Sequence, residues 1–419
     1  MFEDPRGTLL TTDKASAAEA FECALIAFLG QRPEVARQLH DTLGADPGLV
    51  AAHCLGGFLM MLGARRPLMG EAARGLARAR AALGHRGGTR REMALVSALG
   101  AWVESGNMWR AADLLERALI EDPHDLLLMR LAHAIRFMLG DSVGMRVALG
   151  SVLPAWNREM PGHAYLLGCY AFALVETGDL GAAEHVGRGA VGMEPRDLWG
   201  AHAVAHALSG QGRERESLAW LSWMEPHMGA AGAFGRHIHW HRALSLLDLG
   251  EPEAALDLYD RKVREDACDD VRDVMNAASL LWRVEAAGLD AGSWRWDELA
   301  DIAERRIGDH AWAFADLHYL LCLAASGRRD EVEAMLASIA GRVTRATDSQ
   351  ARVHAEVGFA CARGIAEAIG GDPAEAAALI GSVRFRLPHL GGSRIQRDLL
   401  ERVRARAERQ THRRAEILH

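Results

Sequence analysis

Three histidines stand on alternate positions around Trp240 in the stretch GRHIHWHRAL, residues 235–244. On a strand His237, His239 and His241 would all project from one side, like the ligands of a metal. On a helix, at about 100° per residue, His237 and His241 share a face and His239 turns away. A second pair, His202 and His206 in HAVAHALSG, has the i, i+4 spacing with which paired helical histidines bind zinc. The same spacing also suits packing or hydrogen-bonding histidines, and Asp248 or His241 is the only evident third ligand, so no metal site is assigned. Imidazole gives and takes protons near neutral pH, so such residues also point to acid–base chemistry. No HExxH, CxxC or redox motif accompanies them.

The elements that must position these residues are written in glycines. VESGNMWRAADLLERALIEDPHD (103–125) and VETGDLGAAEHVGRGAVGMEPRD (175–197) each carry Gly, then Ala at +5, Ala at +12 and Pro at +17. Glycine ends one helix in a left-handed turn, small alanines let a second helix lie close, and proline stops it. The pattern recurs at Gly30 and Gly371, more weakly at Gly63, Gly140, Gly212, Gly250 and Gly327, and loosely at Gly288. Gly106 to Gly140 and Gly178 to Gly212 are both steps of 34 residues. A period in the mid-thirties with helical apolar spacing means stacked helical hairpins. The expected fold is all-α, a tetratricopeptide-like superhelix of about eight or nine hairpins. It reads as one continuous solenoid with N-terminal repeats in 1–150, central His/Trp-bearing repeats in 151–330, and C-terminal repeats with a basic capping helix in 331–419.

A narrower resemblance rests on LLGCYAFALVETGDLGAAE (166–184), DLWGAHAVAHALSGQGRERES (197–217), HIHWHRALSLLDLGEPEAALDLYD (237–260), NAASLLWRVEAAG (276–288), FADLHYLLCLAASG (314–327) and LGGSRIQRD (390–398). In order and spacing these resemble the tetratricopeptide-repeat protein 38-like family over the last two-thirds of the chain. The chain departs from that pattern at His237–His241 and at Asn276. The resemblance implies a repeat scaffold and names no general activity.

In such stacks the first helix of each hairpin faces the hollow. Counting 13, 10, 9, 6 and 2 residues back from each glycine selects one arc. It gives Phe172 and Glu176; His202 and His206; His237, Trp240, His241 and Asp248; Ser279 and Trp282; and Phe314, Leu317 and His318. Aromatic walls with a few aimed polar groups describe a small-molecule pocket. On this reading His202, His206 and His241 are acid, base or clamp, Ser279 a nucleophile, and His237, Trp240, Trp282, His318, Glu176 and Asp248 line the ligand. The reaction class is acyl transfer, hydrolysis or elimination. The plainer reading of Ser279 is a small helix contact, and that of the tryptophans is packing. Ser393 with Gln396 reads as a capping box, and REDACDDVRD (264–273) as a solvated connection. The alternative function is an interaction scaffold holding a peptide or partner protein in its groove.

The bulk properties fit either reading. A net charge of −8 speaks against a general nucleic-acid binder. No run of apolar residues is long enough to span a membrane, and MFEDPRGTLL is no secretory signal. Six scattered cysteines read as buried hydrophobes in a reducing compartment, so a cytoplasmic protein with no required cofactor is expected.

Overall fold

The computed structural model describes residues 1–228 and 232–417. Its architecture is the all-α, tetratricopeptide-like one that the glycine spacing predicts. Besides the helices there is a two-residue ladder in which Phe2–Glu3 pairs antiparallel with Leu9–Leu10, which no sequence signal foretold. Ten hairpins can be traced among the described residues before the closing helix Arg394–Ile417, slightly more than expected.

The repeat signature acts as its chemistry requires. Gly106, Gly140, Gly178, Gly212, Gly250, Gly288 and Gly327 all take positive φ, between 61° and 97°, after a first helix. In the first two hairpins the left-handed position slips one residue on, to Gln31 at φ 57° and Ala64 at φ 49°. The +5 residues Ala111, Ala183 and Ala376 are completely buried, where a larger side chain would push the helices apart. Pro123 and Pro195 follow the second helices Met108–Glu121 and Leu180–Met193. Two residues later an aspartate caps the next helix: Asp125 accepts from the amides of Leu127 and Leu128, and Asp197 from that of Gly200.

The fold separates into two compact units, Met1–Ile238 and His239–His419. In unit 1 the stack curls tightly. The Ala15–Leu29 helix meets Leu126–Leu139, with the Arg130 guanidinium 6.0 Å from the Phe28 ring centre. This curl turns the first-helix faces into an interior. In unit 2 the Arg394–Ile417 helix buries Leu399, Leu400, Val403 and Ala407. Its basic side chains pair with carboxylates of the same helix, Arg402 with Asp398 and Arg404 with Glu401 and Glu408. That is the amphipathic cap the basic run suggested.

Two expectations need correction. The 264–273 segment is more than a solvated link: Arg264 is buried against Glu298 at 2.6 Å, and Asp273 is fully buried. Of the cysteines, Cys54, Cys169, Cys322 and Cys361 are buried, but Cys23 is exposed and Cys268 is partly so. No helix among the described residues is long and apolar enough to cross a membrane.

Candidate functional sites

Residues 237–241 lie in the helix Gly232–Asp248, so the strand-like claw is excluded. Within unit 1 three histidines meet. The Nε2 of His202 lies 2.9 Å from that of His206 and 3.0 Å from that of His237. One imidazole nitrogen of His202 thus faces a ring nitrogen of each neighbour. Phe172 stacks on His202, with ring centres 5.5 Å apart and planes 19° apart, and Phe234 and Trp199 complete the walls. All of these side chains are buried. Glu176 is half-buried at the end of its helix.

Deeper in the same interior are residues that the spacing argument passed over. Arg130, 4 % exposed, lies with its guanidinium carbon 4.4 Å from the Trp199 ring centre and Nη1 3.9 Å from the Cys169 sulfur. His133 sits edge-on to Phe172 and Trp199. Burial, reinforced by the Arg130 charge, holds His133 well below the ordinary imidazole pKa, so it is neutral. Burial pushes the Asp197 carboxyl up to about 7 against the opposing amide of Gly200 and the charge of Arg130. Gly168 is what admits that carboxyl: a methyl group there would overlap Asp197 Oδ2 at 2.2 Å. Counting back from glycines could have found two of these, since Arg130 is 10 residues before Gly140 and Trp199 is 13 before Gly212.

In unit 2 the structure places His241, Trp240, Ser279, Trp282 and His318 in buried positions and leaves Asp248 exposed, 3.6 Å from Arg402. His239 is also buried, with Nδ1 3.2 Å from Nη1 of Arg242. Trp240 packs edge-on to His241. Ser279 is not set against a base. Its hydroxyl oxygen accepts from Arg283, a cation that cannot take its proton. Arg283 also donates to the Ile395 carbonyl at 3.0 Å and lies 3.7 Å from Asp398. Burial lowers its pKa to about 10, so it stays charged at neutral pH. His318 donates from Nδ1 to the Phe314 carbonyl at 2.8 Å, and burial drives its pKa down to about 4. Arg406 lies 5.8 Å from the Trp282 ring centre.

The LGGSRIQRD segment closes this arrangement. Ser393 and Gln396 form the expected capping box, at 2.9 and 3.2 Å. Gly392, at φ 74°, lies under Phe314, whose ring a methyl group would meet at 2.8 Å. The indole of Trp312 donates to the Leu390 carbonyl at 3.0 Å.

A second buried group in unit 2 was not legible in the sequence. One oxygen of Asp316 accepts from His310 Nδ1 at 2.8 Å and from His354 Nε2 at 2.9 Å, and His310 Nε2 lies 2.8 Å from the Ser338 hydroxyl. Burial works to raise the Asp316 pKa, but the two imidazoles outweigh it and hold the carboxylate below its ordinary 3.8. The ligand atoms of His310, Asp316 and His354 lie within 4.8 Å of one another and can hold a metal ion. They also pair with one another through hydrogen bonds, with His354 Nδ1 left without a partner. His310 takes a left-handed φ of 47°, and His354 opens a π-helical turn, His354–Gly358.

Two grooves lie elsewhere on unit 1, and neither is lined by the residues selected from the sequence. One, of about 680 Å³, is lined by Leu9, Arg90, Met93 and Ala94 on one side and by Leu114, Ala118 and Glu121 on the other. The second, of about 410 Å³, runs along Arg158–Tyr165 and Gly192–Glu194.

No family model matches the chain. Among solved structures it is similar to a tetratricopeptide repeat protein from Parabacteroides merdae, at 15 % identity over 69 % of this chain and 98 % of that one, with a TM-score of 0.34. It is also similar to a chain of the APC/C hetero-tetramer Cut9-Hcn1, at 14 % identity over 92 % and 73 %, with a TM-score of 0.37. A third is the P58(IPK) TPR domain, at 11 % identity over 78 % and 90 %, with a TM-score of 0.19.

Proposed function

We propose that this chain is a protein-interaction scaffold of the tetratricopeptide class, and within it a relative of the tetratricopeptide-repeat protein 38-like family. The observation that carries the reading is a contrast of exposure. The faces that the sequence assigns to a small ligand are turned inward, with imidazole set against imidazole and Ser279 against Arg283. The 680 Å³ groove is open, and Leu9 and Met93 stand 40 % and 46 % exposed beside it. Apolar side chains held out to solvent beside a groove mark a docking surface. The apolar floor of Ala94, Leu114 and Ala118 takes an apolar side chain of the partner. Arg90 and Glu121, exposed and 3.8 Å apart, set the charges that must flank it.

The test is pairwise. A partner isolated with the full chain and identified by mass spectrometry is expected to bind Met93→Glu at least about tenfold more weakly, the cost of one buried anchor, while the variant's Tm is unchanged. Equal binding by the two proteins would remove the groove from the proposal. Chemistry by His202 and His206 is the second reading, favoured by the meeting of His206, His202 and His237 at 2.9 and 3.0 Å. Its own test is whether His202→Ala abolishes any turnover found in the purified chain.

A further inference from the structure

Arg130 is a buried cation without a counter-charge. Among the described residues no carboxylate oxygen lies within ion-pair distance of it, and its Nε donates to nothing. Its contacts are the Trp199 and Phe28 rings and a sulfur at 3.9 Å. An aromatic face attracts a guanidinium, but a stacked ring meets none of its in-plane N–H groups. Taking such a charge out of water unpaired is among the most costly things a fold can do.

The surroundings repeat the deficit. The indole N–H of Trp199 has no acceptor, and both ring nitrogens of His133 lack partners, although each side chain is more than nine-tenths buried. The three come from two first helices, Leu126–Leu139 and Leu198–Gly210, on either side of His163–Glu176, and converge on one another: Arg130 lies 4.4 Å and His133 5.7 Å from Trp199. Arg130, Trp199 and neutral His133 together offer N–H donors to one locality. Asp197 is the nearby acid, but among the described residues it forms no ion pair with Arg130 and its Oδ2 accepts nothing. It does not discharge the arginine.

We propose that the interior of unit 1 binds a small organic carboxylate, whose oxygens accept from Arg130 Nε, the Trp199 indole N–H and His133. One guanidinium calls for one negative charge, and the aromatic walls of Phe172, Trp199 and Phe234 suit an organic remainder better than a hydrated phosphate. This site is separate from the groove of the scaffold reading and stands or falls independently of it.

The experiment is thermal unfolding of the full chain, first dialysed exhaustively against acetate and then against buffer to exchange out any acid carried from purification, in sodium acetate against sodium chloride and sodium phosphate at matched ionic strength. Acetate is expected to raise Tm progressively with concentration, as a ligand of the folded state must. Arg130→Gln is expected to abolish that rise, and Trp199→Phe, which removes one N–H and keeps the aromatic body, to reduce it. Should Arg130→Gln fail to fold, the Trp199→Phe comparison decides alone. Acetate acting no differently from chloride in the wild-type chain would overturn the proposal and leave water as the partner of these donors. A rise undiminished in the variants, or one given by phosphate and not acetate, would overturn it as well.

Discussion

In unit 2 the buried Asp316 carboxylate meets two imidazoles at 2.8 and 2.9 Å, and the buried Arg283 meets Ser279, the Ile395 carbonyl and Asp398. In unit 1 the equally buried Arg130 lies on an indole with no carboxylate of the described residues in ion-pair reach, and Asp197 holds one oxygen that accepts nothing. Both interiors are made by the same repeat, with the first helices turned inward. The difference teaches that burial of polar groups alone does not mark a binding site in this fold. A charge met by opposite charge or by hydrogen-bond partners fixes the packing of its helices, whereas a buried cation on aromatic rings alone is where a ligand has something to supply.

The widest separation between the two interiors should come from their carboxylates. Asp316→Ala strands two buried imidazoles and should cost about 3–5 kcal/mol in urea unfolding. Asp197→Asn should do the reverse. The folded-state pKa of Asp197 is raised to about 7 from an ordinary 3.8, so the wild-type chain loses stability as pH rises through that window. Asparagine keeps the cap to Gly200 and drops the charge, so at pH 8 it should be more stable than wild type by up to about 4 kcal/mol, and at pH 4 little changed. Equal signs for the two substitutions at pH 8 would break the comparison.

His318 gives the next largest effect. Its folded pKa is depressed to about 4 from 6.5, so its stabilising contribution is full above pH 6.5 and is lost as pH falls toward 4. Over that window wild type should lose about 3 kcal/mol through this residue. His318→Asn should flatten the profile, and an unchanged slope would show that the imidazole is not held neutral. Gly392→Ala meets both a left-handed φ and the Phe314 ring and should cost about 2 kcal/mol. Thermal unfolding would check it, and a neutral result would mean that the Leu390–Ser393 turn yields freely. The smallest effect belongs to Ser279→Ala, about 1 kcal/mol for one lost hydrogen bond to Arg283. If instead it removed a measured activity at unchanged stability, Ser279 would regain the role of nucleophile.

The hairpins were legible because their punctuation is local. Gly178, Ala183, Pro195 and Asp197 each act within a turn or two of chain, so spacing alone reveals them. The inward face rests on the same kind of spacing, which set His202, His206 and His241 together as the chemical group, whereas within unit 1 His202 and His206 meet His237. What spacing could not convey is partnership. Arg283 turns Ser279 from a candidate nucleophile into a hydrogen-bond acceptor, from one helical turn away, and only the packing selects that rotamer. The 310–316–354 group joins residues 6 and 38 positions apart, across a left-handed residue and a π-turn that carry no sequence signature. The closed curl of unit 1, which converts a hollow into an interior, depends on Phe28 meeting Arg130 from three hairpins away.

The unmet charge of Arg130 admits a direct assay. The full chain is purified without added carboxylate and denatured, and the acids released are quantified by ion chromatography, with Arg130→Gln treated in parallel. The account predicts a small organic acid in stoichiometric amount from the wild-type protein and none from the variant. Identical profiles from the two, or no acid from either, would contradict it.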